Sequence, residues 1–254
     1  MISSTDNAKI KDIIKLKTKK RFRDEASLFV SEGEVLVSEI PPELIKEIYI
    51  SEDYRGKIPE TEAEVIKVAP GVFGKISDTV TPQGIMAVVK KKTCTPEEIL
   101  ATETNAPVIF LERLQDPGNL GTIVRMAEAA GVAGIIMSSD TADIYNPKTV
   151  RSTMGSLYRM PFSYCGDMSF EIKNAKEAGI VVYASTPADA KDFYECDYTK
   201  KSAFIIGNES AGVSEDIMVL ADERIKIPME GQVESLNAAM AATIVCFEAK
   251  RQRG

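Results

Sequence analysis

The chain has 254 residues, of which 44% are hydrophobic and 27% charged, and its formal net charge is −7. This composition is typical of a soluble globular protein that is long enough for one large or two ordinary domains. The chain contains no histidine, which excludes Ser-His-Asp and Cys-His catalysis, H-E-x-x-H metal sites and any imidazole base.

Targeting and metal motifs are missing from the sequence. No apolar run reaches the roughly 18 residues that a membrane-spanning helix needs, and the N-terminus lacks the basic and apolar regions of a signal peptide. The four cysteines form no C-x-x-C pair, so we predict neither a disulfide framework nor a metal site. We therefore expect a cytoplasmic protein that is not bound to a membrane.

Basic residues are concentrated near the N-terminus. The segment from Lys9 to Arg23 holds eight basic residues against one acidic residue, Asp12, so it carries +7 and the rest of the chain −14. Helical spacing of the isoleucines in this segment predicts an amphipathic helix with a basic polar face. So strong a segregation of charge favours an RNA-binding surface. The predicted RNA-binding residues are Lys17, Lys19, Lys20, Arg21 and Arg23.

Short elements alternate over the next part of the chain. The apolar run 28–30 is followed by a predicted helix at 33–40, strands at 47–50 and 65–68, a helix at 71–76 and a strand at 84–89. This series predicts a small α/β domain over residues 1–92. Residues 93–105 are rich in threonine and are predicted to be a linker with one helical turn at 96–100.

A second α/β series begins near residue 106 and continues to residue 254. Predicted strands at 108–111, 134–137, 180–183, 203–206 and 224–227 alternate with predicted helices at 119–130, 147–157, 170–178, 214–220 and 235–251. Continuous apolar strands that alternate with helices predict a parallel sheet covered on both faces.

Three polar blocks lie at strand-to-helix junctions of this second series. The first runs from Gly118-Asn119-Leu120-Gly121 to Arg125, the second is Gly207-Asn208-Glu209, and the third is Ser235-Leu236-Asn237 followed by small residues. Taken singly, Arg125 would be a surface arginine, Glu209 a charge at a helix start and Ser235 a helix N-cap. Their common position at the carboxyl ends of parallel strands instead favours one ligand site.

Two nucleotide-binding classes do not fit the blocks. No G-x-G-x-x-G fingerprint follows a strand, which argues against a Rossmann oxidoreductase. Residues 207–214 approach the P-loop pattern, but Val213 stands where a P-loop has lysine, and Glu209 would repel phosphates.

In combination and order, the three blocks resemble the motifs of the SpoU/TrmH family of RNA ribose methyltransferases in the SPOUT superfamily. The resemblance implies an α/β fold with a parallel-sheet SPOUT domain and a C-terminal trefoil knot, preceded by a small α/β substrate-binding domain. It also implies S-adenosylmethionine as the cofactor. The residues that match the catalytic positions of the family are Asn119, Arg125, Glu209, Ser235 and Asn237. The implied cofactor-binding residues are Gly207, Ile227, Met229 and Leu236.

The implied chemistry suits a chain without histidine, because S-adenosylmethionine carries its own electrophilic methyl group. The enzyme must mainly align a ribose 2′-hydroxyl with it. Since a guanidinium scarcely deprotonates, we expect Arg125 to bind a phosphate and stabilise the developing alkoxide. Glu209 is expected either to orient Arg125 or to accept the proton, and the sequence leaves these two roles open.

The resemblance favours ribosomal RNA as the substrate over transfer RNA, because the N-terminal domain is similar to that of members acting on ribosomes. A transfer RNA methyltransferase and a non-catalytic RNA-binding or ribosome-assembly protein are the alternatives. The family also implies a homodimer formed through the last helix. Its expected apolar contacts are Leu236, Ala239, Met240, Thr243 and Phe247.

Overall fold

Contacts divide the chain into two units in the computed structural model, which describes residues 1–92, 94–187, 189–233 and 235–254. The first unit combines Met1–Lys92 with Asp143–Tyr158, and the second combines Thr93–Ala142 with Arg159–Gly254. This division differs from the predicted segments 1–92, 93–105 and 106–254, because residues 143–158 group with the N-terminal unit. Thr93, the first residue of the predicted linker, lies outside the described residues. As functional domains, the predicted segments stay a prediction.

Helices and strands are numbered in chain order. The helices are α1 (Ala8–Thr18), α2 (Lys20–Ala26), α3 (Glu34–Ser38), α4 (Pro70–Ile76), α5 (Pro96–Leu100), α6 (Pro117–Ala130), α7 (Pro147–Thr153), α8 (Met168–Glu177), α9 (Glu215–Met218) and α10 (Ala238–Arg253). The strands are β1 (Leu28–Glu32), β2 (Ile45–Ser51), β3 (Glu64–Val68), β4 (Ile85–Lys90), β5 (Val108–Leu111), β6 (Gly134–Ser138), β7 (Phe162–Cys165), β8 (Val181–Ser185), β9 (Lys191–Asp192), β10 (Ser202–Ile206) and β11 (Glu223–Lys226).

The sheet of the N-terminal unit has the strand order β1-β4-β2-β3. Strand β4 is antiparallel to β1 and β2, and β2 is parallel to β3. Helix α1 packs on this sheet through Ile10, Ile13 and Leu16, which are buried in one cluster with Tyr49. The predicted amphipathic helix is confirmed, although Ile14 is 38% exposed and Leu16 takes its place in the core.

The sheet of the second unit has the order β7-β6-β5-β10-β8-β11-β9, and every described pairing in it is parallel. The predicted parallel sheet is thereby confirmed. After β5, the chain adds β6 and then β7 on one side of it. The next strand, β8, lies on the opposite side of β5, beyond β10. The order therefore reverses between β5 and β10, where Leu111 pairs with Ile206. Open α/β sheets bind ligands outside the carboxyl ends of strands at such a point. The trefoil knot stays a prediction.

Several element bounds differ from the predicted ones. The last helix begins at Ala238 rather than at residue 235, because Asn237 and not Ser235 is its N-cap. The predicted helix 147–157 ends at Thr153, where Met154 has a left-handed φ of 49°. The short elements α2, β7 and β9 were not predicted. None of the described helices is long and apolar enough to cross a bilayer.

Candidate active site

The first polar block forms the start of α6, directly after β5. Asp116 is the N-cap, its side chain accepting from the backbone nitrogen of Asn119 at 2.8 Å, and Pro117 occupies the first helical position. Gly131 ends the helix with a left-handed φ of 72°. These local signals fix where the helix starts and ends, and they place the Asn119 side chain at its first turn.

The side chain of Asn119 joins the three blocks. Its Nδ2 donates to Oε1 of Glu209 at 3.1 Å, and its Oδ1 accepts from Nδ2 of Asn237 at 2.9 Å. The side-chain oxygen of Asn237 accepts from the backbone nitrogen of Ala239 at 2.9 Å, and Asn237 so caps α10. One residue from each block therefore belongs to a single hydrogen-bonded chain.

Glu209 receives two more hydrogen bonds, from the backbone nitrogens of Gln115 at 3.1 Å and Asp116 at 3.0 Å. Burial alone would raise the pKa of Glu209. The bonds from Asp116, Asn119 and Gln115 outweigh it and hold the pKa below its usual range. Glu209 is therefore ionised at neutral pH and is a weak proton acceptor.

A tight loop carries Glu209. Asn208 and Gly212 exchange two backbone hydrogen bonds at 3.0 and 2.9 Å, which closes residues 208–212 into a compact turn. Gly207 lies so close to this turn that a Cβ there would be 2.2 Å from the backbone carbon of Gly212. The Asn208 side chain fastens the turn to the segment after β5 by donating to the carbonyl of Arg113 at 2.8 Å. Only glycine fits at position 207.

A cavity of about 370 Å³ lies beside this turn, within the second unit. All four predicted cofactor-binding positions, Gly207, Ile227, Met229 and Leu236, line it, as do Glu209 and Ser235. Its volume lies within the usual range for small-ligand sites. Apolar side chains and the exposed backbone of the turn give it the character of a site for a flat, partly polar ligand. The residues present therefore fit S-adenosylmethionine.

Two of the predicted catalytic residues stand apart from the hydrogen-bonded chain. Arg125 is exposed on α6, whereas its neighbours Ile123, Val124 and Ala127 are fully buried. Among the described residues, neither the Arg125 guanidinium nor the Ser235 hydroxyl has a hydrogen-bond or ion-pair partner. A direct contact between Glu209 and Arg125, which would orient the guanidinium, is not present among these residues.

The structure corrects two of the predicted RNA-binding residues. The Lys17 side chain is 6% exposed, and its ammonium lies 3.2 Å from Glu32 and 3.1 Å from Asp78. The Arg23 side chain is 4% exposed and pairs with Asp143 at 2.5 Å. Both are committed to internal ion pairs, so they are not available to RNA phosphate.

The other three predicted RNA-binding residues, Lys19, Lys20 and Arg21, are exposed. Lys20 pairs with Asp24 at 2.9 Å and Arg21 with Glu25 at 2.7 Å, whereas Lys19 has no ion-pair partner in the described part of the chain. Exposed pairs of this kind are weak and exchange readily. RNA binding stays a prediction for these three residues.

Sequence reasoning missed the residues that shape the segment between β5 and α6. Arg113 has a left-handed φ of 54°, and its carbonyl accepts from Asn208 and from Gln115. The buried carboxylate of Glu112 accepts from the backbone nitrogen of Ser214 at 2.8 Å and from its hydroxyl at 2.6 Å. These two bonds hold the segment that follows the turn at residues 208–212. The Asp116-Pro117 pair was a readable cap signal, but nothing in the sequence marks Arg113.

Comparison with known proteins gives two family matches. Residues 106–247 match the SpoU rRNA Methylase family, and residues 7–87 match the MRM3-like substrate binding domain. The 23S rRNA (guanosine(2553)-2′-O)-methyltransferase RlmP of Bacillus subtilis is 37% identical over 251 residues, which is 97% of each chain. The tRNA (guanosine(18)-2′-O)-methyltransferase of Thermus thermophilus is 38% identical over 159 residues, covering 62% of this chain and 80% of its own.

Among solved structures, the AdoMet-bound rRNA methyltransferase from Sinorhizobium meliloti superimposes with a TM-score of 0.88 and 31% identity. The match covers 98% of this chain and 97% of that one.

Proposed function

The chain belongs to the SpoU rRNA methylase family, and we propose that it transfers the methyl group of S-adenosylmethionine to the 2′-hydroxyl of a ribose in ribosomal RNA. The hydrogen-bonded chain Glu209–Asn119–Asn237 carries this proposal, because it gathers the three sequence blocks beside one cavity. The same arrangement favours an enzyme over a non-catalytic RNA-binding protein, since a binding module has no need of this cavity.

Ribosomal RNA is favoured over transfer RNA by the extent of the similarity. The relative named for 23S rRNA matches 97% of this chain, and the relative named for tRNA matches 62%. The full-length match includes the N-terminal unit, for which residues 7–87 fit a substrate-binding domain. We assign RNA recognition to that unit and methyl transfer to the second unit. A protein that modifies ribosomal RNA belongs in the cytoplasm, which is the location we propose.

S-adenosylmethionine would supply the electrophilic methyl group and leave as the neutral thioether, and the proton of the ribose hydroxyl would pass to water. In our proposal, Gly207, Ile227, Met229 and Leu236 hold it in the cavity of the second unit. The hydrogen bond between Asn119 and Asn237 holds the start of α6 next to the start of α10, beside that cavity. The low pKa of Glu209 suits an anchor of the segment before α6 better than a base. Arg125, whose guanidinium has no ion-pair partner among the described residues, binds the phosphate of the target nucleotide and stabilises the developing alkoxide.

We also propose a homodimer through the last helix. Met240 is 55% exposed and Phe247 42% exposed, and with the half-buried Thr243 they form an apolar stripe along α10. Ala239, which was expected in this stripe, is 3% exposed and packs within its own unit. Leu236 precedes the helix and lines the cavity. The proposed interface therefore consists of Met240, Thr243 and Phe247.

The test of the proposed function is a pair of measurements. Calorimetric titration should give binding of S-adenosylmethionine to the wild-type protein and none to Gly207→Ala, because a Cβ at that position collides with the backbone of residues 212 and 213. Titration with NADH should give no binding. Mapping of 2′-O-methylation across total RNA from a strain without the protein should reveal one lost ribosomal methyl group. A complete methylation map together with no cofactor binding would refute the proposal.

A further inference from the structure

A second cavity lies in the N-terminal unit, at the edge of the sheet where β1, β2 and β3 end. These three strands share one direction, because β1 and β2 are both antiparallel to β4 and β3 is parallel to β2. Their carboxyl ends therefore meet at one edge, the usual place for ligands in open α/β sheets. The cavity has a volume of about 470 Å³, which is enough for a nucleotide-sized ligand.

A buried ionic cluster holds one wall of this N-terminal cavity in place. The carboxylate of Glu32 accepts from the Ser77 hydroxyl, from the backbone nitrogen of Asp78 at 3.1 Å and from the hydroxyl of Thr79 at 3.2 Å. Lys17 pairs with the same carboxylate. These bonds anchor the loop that continues to residues 82–84, which line the cavity. The wall is thus shaped before any ligand binds, which favours affinity.

Two glycines keep the polar groups of the cavity close together. A Cβ at Gly56 would lie 2.3 Å from Oε1 of Glu34 and 2.3 Å from the hydroxyl of Tyr54. Gly33 has a φ of +106°, and a Cβ there would lie 2.8 Å from Oε1 of Gln83. Larger residues at these positions would push Glu34, Tyr54 and Gln83 apart.

The exposed chemistry of the cavity complements a nucleobase. Oε1 of Gln83 accepts from the backbone nitrogen of Glu34 at 2.9 Å, which leaves its Nε2 with no partner among the described residues. The Glu34 carboxylate beside it is an acceptor, and the Tyr54 ring adds an aromatic surface. Arg55 donates only to the carbonyls of residues 52 and 54 and has no carboxylate partner in the described chain. Unpaired RNA bases are bound by such aromatic, guanidinium and edge-directed polar groups.

The pairing of a carboxylate with an amide donor favours guanine, the one base with two adjacent donors for both carboxylate oxygens. A carboxylate next to an amide donor matches guanine, whose ring N–H and 2-amino group are adjacent donors beside the O6 acceptor. The two residues that supply these groups, Glu34 and Gln83, fall within residues 7–87, which match a substrate-binding domain.

We propose that the N-terminal cavity binds an unpaired guanine of the RNA substrate, with Glu34 accepting from its N1–H and 2-amino group and Gln83 donating to its O6. This inference rests on the proposed function, because it assumes that RNA is the ligand of this unit. It adds a base-recognition site that is separate from the methyl-transfer cavity.

Binding of short RNAs to the full-length protein tests the inference. Heptamers of uridine with a central G, A, C or U should be compared by fluorescence anisotropy. A bidentate contact to a base is worth ~1–3 kcal/mol of discrimination, so the guanine heptamer should bind about tenfold more tightly than the others. Glu34→Gln should abolish most of this preference, and Gln83→Ala should reduce it.

Glu52→Gln is the matched control, because Glu52 is exposed and does not line the cavity. Removing a negative charge strengthens unspecific phosphate binding, so weaker guanine binding by Glu34→Gln is opposite to the electrostatic effect. Equal affinities of the wild type for all four heptamers, or identical behaviour of Glu34→Gln and Glu52→Gln, would overturn the inference.

Cross-linking gives a second test that needs no variant to fold. A heptamer with central 6-thioguanosine should cross-link to a peptide containing residues 51–57 or 82–84, and cross-linking only elsewhere would overturn the inference. Failure here is separable from failure of the proposed function. A protein that binds S-adenosylmethionine and methylates RNA without guanine preference refutes the base site alone, whereas one that does neither refutes the proposed function.

Discussion

The side-chain nitrogen of Asn237 lies 2.9 Å from the side-chain oxygen of Asn119, to which it donates a hydrogen bond across 118 residues of sequence. Asn237 also caps α10, and Asn119 also donates to Glu209. Two asparagine side chains therefore fix the relative positions of the start of α10, the first turn of α6 and the turn at residues 208–212.

The first prediction concerns Asn119. Asn119→Ala removes the partner of the Asn237 amide and one of the three hydrogen bonds that Glu209 accepts, which should destabilise the protein by about 1 kcal/mol. Methyl transfer should fall at least tenfold, because the starts of α6 and α10 are no longer held in a fixed position beside the cavity. Single-turnover methylation and thermal unfolding measure the two effects. Asn174→Ala is the control, since Asn174 makes a similar bond to Glu171 within α8. Equal activity of the two variants would contradict the role of Asn119.

The second prediction is a pH dependence of stability. The pKa of Glu209 is lowered in the folded state, so its contribution to stability is present above the unfolded value of about 4.3. That contribution is lost as the pH falls through the folded pKa. Glu209→Gln should therefore lower the free energy of unfolding at pH 7 and flatten its decline in acid, as measured by urea titration.

Glu171 is the control for Glu209, because its pKa is shifted in the opposite direction. Burial raises the pKa of Glu171, so Glu171→Gln should not lower the free energy of unfolding at pH 7. The same loss with both variants would show that removal of any carboxylate suffices.

The third prediction separates the enzyme from a binding module. Arg125→Ala should leave folding and S-adenosylmethionine affinity nearly unchanged, because the side chain is exposed and does not line the cavity. Methyl transfer should fall by ~10²-fold or more, the usual scale for losing one charge-stabilising donor. Arg125→Lys should rescue little, since an ammonium lacks the planar fork of donors. Lys200→Ala removes another exposed cation of the second unit and should change nothing. Near-normal activity of Arg125→Ala refutes the assigned role.

The fourth prediction concerns the exposed basic residues of the N-terminal unit. Replacement of Lys19, Lys20 and Arg21 by alanine should flatten the slope of log K against log salt by up to about 2.7, at about 0.9 per phosphate contact. The melting temperature should change little. Lys17→Ala should act differently, because it leaves the buried Glu32 unpaired, and the loss of stability should be ~3–5 kcal/mol. An unchanged salt slope of the triple variant would mean that this surface is only solvated.

The fifth prediction concerns the dimer. Met240→Asp together with Phe247→Asp places two charges on the exposed stripe of α10 and should yield a monomer in light scattering. Methyl transfer should be lost if the sites depend on the second copy. Phe170→Asp is the control, because Phe170 is 55% exposed on α8, away from this stripe. A wild-type monomer that methylates RNA would exclude the proposed interface.

The sequence by itself determined most of the element types, the parallel sheet and the three blocks, but not the short elements α2, β7 and β9. Helix α6 shows why, since its cap at Asp116, its apolar spacing and its stop at Gly131 all lie within 16 residues. Such signals are local, because the residues that cap a helix and the apolar run that marks a strand lie within the element or next to it in sequence. The family motifs could be read for the same reason, each being a short run at the end of a strand.

Only the tertiary structure decided which charges are available and which side chains meet. Lys17 and Arg23 looked like members of a basic surface, but their partners Glu32 and Asp143 lie 15 and 120 residues away. The bond between Asn119 and Asn237 is equally non-local, and so is the N-terminal cavity, which three strand ends enclose. Whether a charge is solvated, or an amide satisfied, depends on which distant segments pack against it, and no periodicity in the sequence encodes that packing.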